Sequence, residues 1–214
     1  MNKCAVAEPE LTAPVKTSRQ ELRTKETRDL LMRAAKTIFI RDGYEGTDLK
    51  DIAELAGRTK GAIYGHFKSK EEIFLALIAD HRQRYREELE QLMGRDVNQN
   101  IAVMRQFIMD LAEDSDWALL QLEFKMFTLR HPETKERFQS LYAPLASDRE
   151  EMYTRLLGPA GKGTRSVSRA MAVHSIIPML SGLLLEAEFE PGLMSKKSIK
   201  QLIAGVFEHL LGRS

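Results

Sequence analysis

Apolar residues recur along most of the chain with the spacing of amphipathic helices. In the first clear helix they stand three or four positions apart, at Leu30, Leu31, Ala34, Ala35, Ile38 and Phe39. This spacing places them on one face of a helix, and Gly43 after them suits a helix C-terminus. Because no stretch shows the strict alternation that is typical of a strand, the pattern predicts an all-α protein.

Two short helices come next. Thr47 or Asp48 can cap the first of them, and Gly57 ends it. Thr59 can cap the second, which reaches Phe67. Two short helices joined by a brief turn that contains glycine form a helix-turn-helix. In that motif the second helix enters the major groove of DNA while the first crosses the backbone.

A long helix and several further helical stretches complete the pattern. The sequence Ser69-Lys70-Glu71-Glu72 spells a capping box, with Ser69 directed to the third backbone N–H and Glu72 directed back to Ser69. The helix that it starts ends near Gly94. Pro144 and Pro178 fall inside later helices and predict kinks. These later helices cover about residues 97–113, 115–130, 133–157, 166–188 and 195–211.

The start of the chain predicts a flexible basic arm over residues 1–22. An N-terminal domain over residues 23–85 and a larger helical domain over 86–214 follow it. Ser18 and Glu21 offer an alternative, which is an earlier start of the first helix. The basic residues of the arm either reach phosphates or a minor groove, or are simply solvated. They are Lys16, Arg19, Arg23 and Lys25.

Neither a signal peptide nor a membrane span is expected. Glu8, Pro9 and Glu10 interrupt the only apolar candidate near the start. The longest uncharged stretch, 170–185, is shorter than the roughly 20 residues that a span needs. We interpret that stretch as a buried helix.

The composition indicates a reducing compartment, and the charges are unevenly distributed along the chain. The single cysteine, Cys4, excludes an internal disulfide and a thiolate zinc cage, and it fits the cytoplasm. Taken as a total, the net charge of +1 over 214 residues disfavours a nucleic-acid partner. However, residues 16–70 hold thirteen basic and eight acidic side chains, a net of +5, which leaves −4 for the remainder. Basic charge is therefore concentrated where DNA binding is expected.

The second short helix has the residues that a groove-facing helix needs. Lys60, Gly61 and Ala62 come first, so the backbone can approach DNA closely and no acidic side chain opposes it. Ile63 and Phe67 supply its inward face. Taken alone, Tyr64 would be a half-buried anchor, and Lys50 and Lys68 would be ordinary solvated lysines.

The region 25–85 resembles the tetracycline-repressor (TetR) family of bacterial transcription regulators. The ordered string AGRTKGAIYGHFKSKEE is the most specific part of this match. The matching residues are Ala34, Phe39, Gly43, Tyr44, Thr47, Asp51-Ile52-Ala53, Ala56-Gly57, Lys60-Gly61, Ile63-Tyr64, His66-Phe67 and Ser69-Lys70-Glu71. The resemblance implies an N-terminal three-helix helix-turn-helix domain and a C-terminal helical domain for ligand binding and dimerisation.

The same resemblance implies a role for each residue of the motif. Lys60 is expected to read a base, while Tyr64 and His66 hold phosphates, with Tyr64 also able to touch a thymine methyl. Thr47 and Lys70 are expected to contact phosphate, and Lys50 a base or a phosphate. Arg58 and Gly65 depart from the family pattern; Arg58 either adds a phosphate contact or points to solvent. The full DNA-binding set is Thr47, Lys50, Arg58, Thr59, Lys60, Gly61, Ala62, Tyr64, Gly65, His66 and Lys70.

The larger domain offers apolar volume rather than catalytic chemistry. Its histidines form no metal pair, and the loop GPAGKGTRS fails the spacing of a phosphate-binding loop. No catalytic residue, metal or cofactor is predicted, which disfavours an all-helical enzyme. Several large residues are most simply packed core, but the resemblance also allows them to line a cavity for a bulky hydrophobic ligand. They are Met104, Phe107, Trp117, Phe124, Phe127, Met171 and His174.

These observations together predict a ligand-responsive repressor. The resemblance implies that the last two helices pair with those of a second copy, and the resulting homodimer is expected to bind a pseudo-palindromic DNA operator. The alternative is a regulator of the same kind without a small-molecule inducer, which is controlled by a protein partner or acts as an activator.

Overall fold

The computed structural model describes residues 18–92, 94, 96–140, 149–159 and 167–211. These residues form helices and no strand, which confirms the all-α prediction. The helices are α1 (Arg19–Gly46), α2 (Leu49–Leu55), α3 (Lys60–Tyr64), α4 (Lys70–Leu92), α5 (Val97–Leu111), α6 (Ser115–Leu129), α7 (Pro132–Ser140), α8 (Arg149–Leu157), α9 (Arg169–Phe189) and α10 (Lys196–Leu211).

Helix α1 begins earlier than the predicted arm allows. The Ser18 hydroxyl accepts a hydrogen bond from the backbone N–H of Glu21, whose carboxylate accepts one from the Ser18 N–H at 2.7 Å. This capping box satisfies two backbone donors that a helix start leaves unpaired. The arm boundary at residue 22 is therefore wrong, and Arg19, Arg23 and Lys25 lie on α1. Lys16 lies outside the described residues.

Gly43 interrupts α1 three residues before its end. Its backbone has φ 74° and ψ 173°, which breaks the helix before the last turn. A positive φ of this kind is favourable only for glycine. The break redirects the chain toward α2, so Gly43 sets the angle at which the helix-turn-helix leaves α1.

The predicted helix over 133–157 is described as α7 and α8. Residues 141–148, with Pro144, lie outside the described residues, as does the start of the predicted helix at 166. Helix α9 begins at Arg169, where the Ser168 hydroxyl accepts from the backbone N–H of Met171 at 3.1 Å. It continues through Pro178.

Two apolar cores hold the helices together. The first contains residues of α1 to α4 and is completed by Trp117, Phe124 and Phe138 from α6 and α7. The second joins α5, α8, α9 and α10 around Ile176, Ile203 and other buried side chains. We call α1–α4 the head and α5–α10 the body. The core of the head thus includes aromatic side chains of the body, across the predicted division at residue 85.

Helix α9 is buried on one face only. By length and composition it is apolar enough to cross a membrane. Its inward residues pack in the second core: Ala172, Val173, Ile176, Leu180 and Leu184. Its outward apolar residues are exposed: Met171, Ile177, Met179, Leu185 and Phe189. The interpretation as a fully buried helix is therefore wrong for the outward face.

A buried arginine ties the start of α9 to the ends of two other helices. The Arg169 side chain is 1% exposed. Its guanidinium donates to the carbonyls of Gly158 at 2.8 Å, Pro159 at 2.6 Å and Leu210 at 3.1 Å. These carbonyls follow α8 and end α10, where a cation is favourable because of the helix dipole.

Candidate nucleic-acid interface

Helix α2 and the turn after it are built from short local hydrogen bonds. Asp48 caps α2 by accepting from the backbone N–H of Lys50 at 2.7 Å. Of the two residues that the sequence offered as caps, Asp48 is therefore the one used. Gly57 follows with φ 63°, and the N–H of Arg58 donates to the Ala53 carbonyl at 2.9 Å. The left-handed glycine lets the chain reverse within the tight turn of the motif.

Helix α3 is shorter than predicted but is held where the motif requires it. The Thr59 hydroxyl accepts from the N–H of Ala62 at 3.3 Å, and the helix ends at Tyr64 rather than Phe67. A last turn continues, since the N–H of Phe67 donates to the Ile63 carbonyl at 2.8 Å. Ile63 and Phe67 are almost fully buried. These two side chains fix α3 against the rest of the head.

The outward side of α3 presents several of the predicted DNA-binding residues. Lys60, Gly61, Tyr64 and Gly65 are exposed, and Tyr64 keeps 53% of its surface accessible. Tyr64 is therefore about half buried, which agrees with the anchor alternative and still leaves much of its ring accessible to DNA. A Cβ at Gly61 would come no closer than 3.7 Å to another atom. The fold therefore leaves room for a side chain at Gly61. Its absence leaves the backbone of α3 open to close approach by another molecule.

Two other predicted contacts lie beside this face. Lys50 is exposed at the start of α2. Arg58 is also exposed, and its guanidinium donates to the Gly57 carbonyl at 3.0 Å. Both cations are accessible to solvent. Lys50 lies near the start of α2, and Arg58 lies in the turn between α2 and α3. His66 and Ala62 are only partly exposed.

Thr47 makes its side-chain hydrogen bond within the head. It is 4% exposed, and its hydroxyl donates to the Gly43 carbonyl at 2.6 Å. That hydroxyl has no second proton to give. The hydroxyl therefore holds the backbone in this structure, and the phosphate contact expected for Thr47 stays a prediction.

Lys70 is also turned inward. Its ammonium donates to the carbonyls of Glu45 at 2.9 Å and Thr47 at 3.0 Å, and lies 5.0 Å from the centre of the Tyr44 ring. Burial lowers the pKa of this ammonium, while the Glu45 carboxylate acts in the opposite direction. Two of its three N–H groups are used within the head. Lys70 therefore joins the start of α4 to the turn before α2, and the phosphate contact expected for it stays a prediction.

The capping box at α4 forms with one change. The Ser69 hydroxyl accepts from the N–H of Glu72 at 3.1 Å, as predicted. The Glu72 carboxylate accepts from the N–H of Lys68 at 2.7 Å, one residue before the predicted donor. The reciprocal half of the motif was therefore wrong by one position.

Polar contacts between head and body were not predicted from the sequence. Glu123 of α6 accepts from the backbone N–H of Tyr44 at 2.7 Å. Glu71 of α4 accepts from the Thr134 hydroxyl at 3.0 Å and forms an ion pair with Arg137, both on α7. These contacts join residues more than sixty positions apart, so no local sequence signal reveals them.

Aromatic rings surround the polar contacts between head and body. The Tyr44 ring centre lies 4.8 Å from that of Phe124 and 4.6 Å from that of Phe127. Burial, followed by the charge of Glu71, raises the pKa of the Tyr44 hydroxyl to about 12, so it stays protonated near neutral pH. Phe74 stacks on Phe124 with a centroid separation of 4.1 Å.

The predicted ligand residues do not converge on one site. Trp117, Phe124 and Phe127 pack with the head in the first core, whereas Met104 and Phe107 pack in the second. Met171 is 64% exposed on the outward face of α9. His174 is exposed on the same helix, with its ring 5.7 Å from that of Tyr153. A shared cavity lined by all seven residues is contradicted by this arrangement.

Two of these seven residues, Trp117 and Phe107, are linked through the rings of His81 and Tyr85 on α4. The His81 ring centre lies 4.9 Å from that of Trp117 and 4.1 Å from that of Tyr85, which in turn contacts Phe107 at 4.9 Å. Burial, with help from the charge of Lys36, lowers the pKa of His81 to about 4. The buried Trp117 Nε1 has no hydrogen-bond acceptor among the described residues. An unpaired buried donor is uncommon in folded proteins.

Two open grooves border α10. One, of about 640 Å³, runs between the outward faces of α9 and α10 and is lined by Met171, Met179, Leu202, Val206 and neighbouring residues. The other, of about 510 Å³, has a cationic rim that includes Arg105, Lys196 and Lys197. The first groove is apolar and continuous with the exposed face of α9.

A helix-turn-helix with an exposed basic and aromatic second helix, joined to a larger helical body, defines a DNA-binding transcription regulator. The family model for bacterial regulatory proteins of the tetR family matches residues 31–77. The chain is also 30% identical over 139 residues to the transcriptional repressor AcnR of Corynebacterium efficiens, a match that covers 64% of this chain and 68% of that protein. The chain therefore belongs to the TetR family of transcriptional regulators, which are not enzymes.

Further comparisons extend this match to the whole fold. The matches to AcnR of two other Corynebacterium species span 48% and 55% of those relatives. The crystal structure of a TetR-family regulator from Rhodococcus sp. has a TM-score of 0.67 at 19% identity, covering 87% of this chain and 99% of that one. The complex of SmeT with triclosan has a TM-score of 0.58 at 25% identity, covering 86% and 90%. SmeT is the repressor of a multidrug efflux pump in Stenotrophomonas maltophilia.

Proposed function

We propose that this regulator is a cytoplasmic repressor that binds a pseudo-palindromic operator as a homodimer and releases it when a hydrophobic effector binds the body. The observation that carries DNA binding is the exposed side of α3, which presents Lys60 and Tyr64 on a helix anchored by Ile63 and Phe67. A rigid helix with an accessible cation is suited to reading base edges in the major groove.

The outward faces of α9 and α10 support homodimerisation. Leu202 and Met179 are among the exposed apolar side chains that line the groove between these helices. Exposed apolar patches of this kind mark interaction surfaces. Pairing with the same two helices of a second copy would bury the groove and present two α3 helices to DNA, which matches half-sites related by two-fold symmetry.

The rings around Trp117 support an effector site between α4, α5 and α6. Trp117 offers a buried Nε1–H that is unpaired among the described residues. His81 packs against its ring, and Tyr85 and Phe107 continue the aromatic surface from His81. A hydrophobic molecule with one hydrogen-bond acceptor fits this chemistry. The relative SmeT, which is crystallised with triclosan, sets the precedent for such a ligand in this fold.

A second candidate is the same regulator without a small-molecule inducer. Trp117 and Phe124 are already packed in the core that α6 shares with the head. A site that is filled by its own side chains must open before a ligand enters, and this opening reduces the apparent affinity. This packing opposes an effector site and therefore favours the candidate without a small-molecule inducer.

Selection from random DNA duplexes tests the DNA-binding part of the proposal. The full chain should enrich a pseudo-palindromic sequence, and its affinity should fall with rising salt because phosphate contacts release counterions. Lys60→Ala should weaken binding to the selected duplex by about 1–3 kcal/mol and relax preference at one base. Enrichment of no duplex at low salt would falsify the proposal.

Trp117, the single tryptophan of the chain, provides a direct test of the effector site. Titration with triclosan as the probe should change its fluorescence and release the selected duplex over the same concentration range. Trp117→Phe should weaken that release, while Met126→Leu on the exposed side of α6 should not. Failure of triclosan and chemically similar acceptor-bearing molecules to alter fluorescence or DNA binding favours the inducer-free candidate.

A further inference from the structure

The break in α1 is closed by a carboxylate from the body. Directly after Gly43, which leaves the helical conformation, the N–H of Tyr44 donates to Glu123 Oε1 at 2.7 Å. A hydrogen bond from a backbone amide to an ionised carboxylate is among the stronger kinds in proteins. Glu123 therefore acts on α1 as a side-chain cap acts on a helix start, although it comes from α6.

Gly43 and Glu123 fit each other closely. A Cβ at Gly43 would lie 2.9 Å from Oε1 and 3.1 Å from Oε2 of Glu123. The positive φ of 74° already favours glycine at this position. The backbone conformation is therefore the firm constraint on Gly43, and a Cβ there would also displace the end of the Glu123 side chain from its place beside the Tyr44 N–H. The contact is specific to this arrangement of α6 against α1.

The backbone that Glu123 holds leads directly into the DNA-reading helices. The Gly43 carbonyl accepts from Thr47, and the carbonyls of Glu45 and Thr47 accept from Lys70. Each of these contacts fixes a polar atom between the break in α1 and the start of α2. Among them, only the contact of Glu123 comes from outside the head, so it relates this segment to the body.

We propose that Glu123 is a positioning residue for DNA binding, which orients α2 and α3 by fixing the Tyr44 backbone while making no contact with DNA. The inference rests on the DNA-binding part of the proposed function. Helix α6 packs against both α1 and α9, so the helix that carries Glu123 also contacts a helix proposed for dimerisation.

The direction in which DNA affinity changes when Glu123 is replaced distinguishes this positioning role from electrostatic repulsion alone. A negative charge near the head repels DNA phosphates, so its removal alone should strengthen binding. Loss of the Tyr44 contact should weaken binding instead. Glu123→Gln removes the charge but retains an oxygen acceptor, whereas Glu123→Asp retains the charge but withdraws the oxygens by one methylene. Glu136→Ala, on the exposed side of α7, is the matched control for loss of charge.

Binding of the full-length variants to the duplex selected by the wild-type chain tests the proposal, at a temperature where circular dichroism shows each variant folded. Glu123→Ala should bind about tenfold more weakly, as expected for loss of a charge-assisted hydrogen bond. Glu123→Asp should weaken binding in the same direction, and Glu123→Gln and Glu136→Ala should remain close to wild type or bind more tightly. The slope of log affinity against log salt should not change, since no phosphate contact is lost.

Hydrogen exchange at the Tyr44 amide gives a second measurement that needs no DNA. Exchange should be faster in the Ala and Asp variants and near wild type in Gln. The proposal is overturned if Glu123→Ala binds as tightly as Glu136→Ala, or if Gln loses as much affinity as Ala. If Glu123→Ala does not fold, the DNA affinities of the other two variants decide, since the proposal requires Glu123→Asp to bind more weakly than Glu123→Gln. If the wild-type chain selects no duplex, the proposed function fails, and exchange at Tyr44 still tests the contact itself.

Discussion

The ammonium of Lys70 lies 3.0 Å from the carbonyl oxygen of Thr47 and reaches the Glu45 carbonyl as well. A lysine at the start of α4 thus holds the end of α1. Both of its acceptors are backbone atoms, so the contact constrains the path of the chain into α2.

Replacement of Lys70 should therefore affect stability more than phosphate binding. Lys70→Met keeps the aliphatic stem and removes the ammonium, which should lower the free energy of unfolding by about 1–3 kcal/mol through the two unpaired carbonyls. DNA affinity should fall without a change in its salt slope. Lys50→Ala is the comparison, since loss of an exposed phosphate contact should reduce that slope by about 1. Urea unfolding and salt-dependent titration measure the two effects, and a reduced slope in Lys70→Met would restore its predicted phosphate role.

The apolar groove between α9 and α10 predicts the effect of a charge on oligomeric state. Leu202 is 54% exposed in this groove, and Leu202→Glu should convert the dimer to a monomer because a buried unpaired charge is costly. Multi-angle light scattering after size exclusion measures the mass directly. Met126→Glu, at 56% exposure on α6, should leave the dimer intact. A Leu202→Glu protein that stays dimeric would place the interface elsewhere.

The partly buried histidine of α4, His81, predicts a loss of stability in acid. The folded pKa of His81, about 4, lies below its ordinary value of 6.5. Between these values the unfolded chain binds a proton that the folded chain rejects, so stability falls as the pH drops from 6.5 toward 4. His81→Gln should flatten this part of the stability profile, whereas His66→Gln, in the turn after α3, should leave it steep. Denaturant unfolding at a series of pH values makes the comparison, and equal slopes for the two variants would contradict it.

Arg169 predicts a large structural effect far from DNA. Arg169→Met leaves carbonyls of Gly158, Pro159 and Leu210 without their donor, which should cost about 3 kcal/mol or more. Arg169→Lys should recover only part of this, since one ammonium cannot reproduce the planar fork of donors. Arg155→Met, on the exposed side of α8, is the control. Similar unfolding midpoints for Arg169→Met and Arg155→Met would show that the buried guanidinium contributes little.

The sequence was sufficient where structure is decided by neighbours in the chain. The caps at Asp48 and Thr59 and the turn at Gly57 follow from local backbone chemistry, and the motif is correspondingly well predicted. Other contacts could not be predicted in this way. Thr47 and Lys70 carry groups that suit DNA, but both groups donate to nearby carbonyls in the structure, and the local pattern does not reveal which acceptor is closest.

The larger domain was less predictable because apolar periodicity does not specify a partner. Phe124 and Met171 both lie in helical patterns of the kind that lines a cavity, yet one packs against the head and the other faces outward. Glu123 carried no signal at all, since its acceptor role depends on a bond across seventy-nine positions. Only the packing of α6 on α1 brings that contact into existence.

The shared aromatic core has a consequence for recombination among related regulators. Trp117, Phe124 and Phe138 complete the core of the DNA-reading part from later in the chain. A chimera joined at residue 85 would therefore leave Tyr44 and Phe74 facing foreign side chains. A transfer of the operator preference of this protein to a relative should therefore include α6 and α7 together with α1–α4. The unit that folds around this core is discontinuous in sequence but continuous in space.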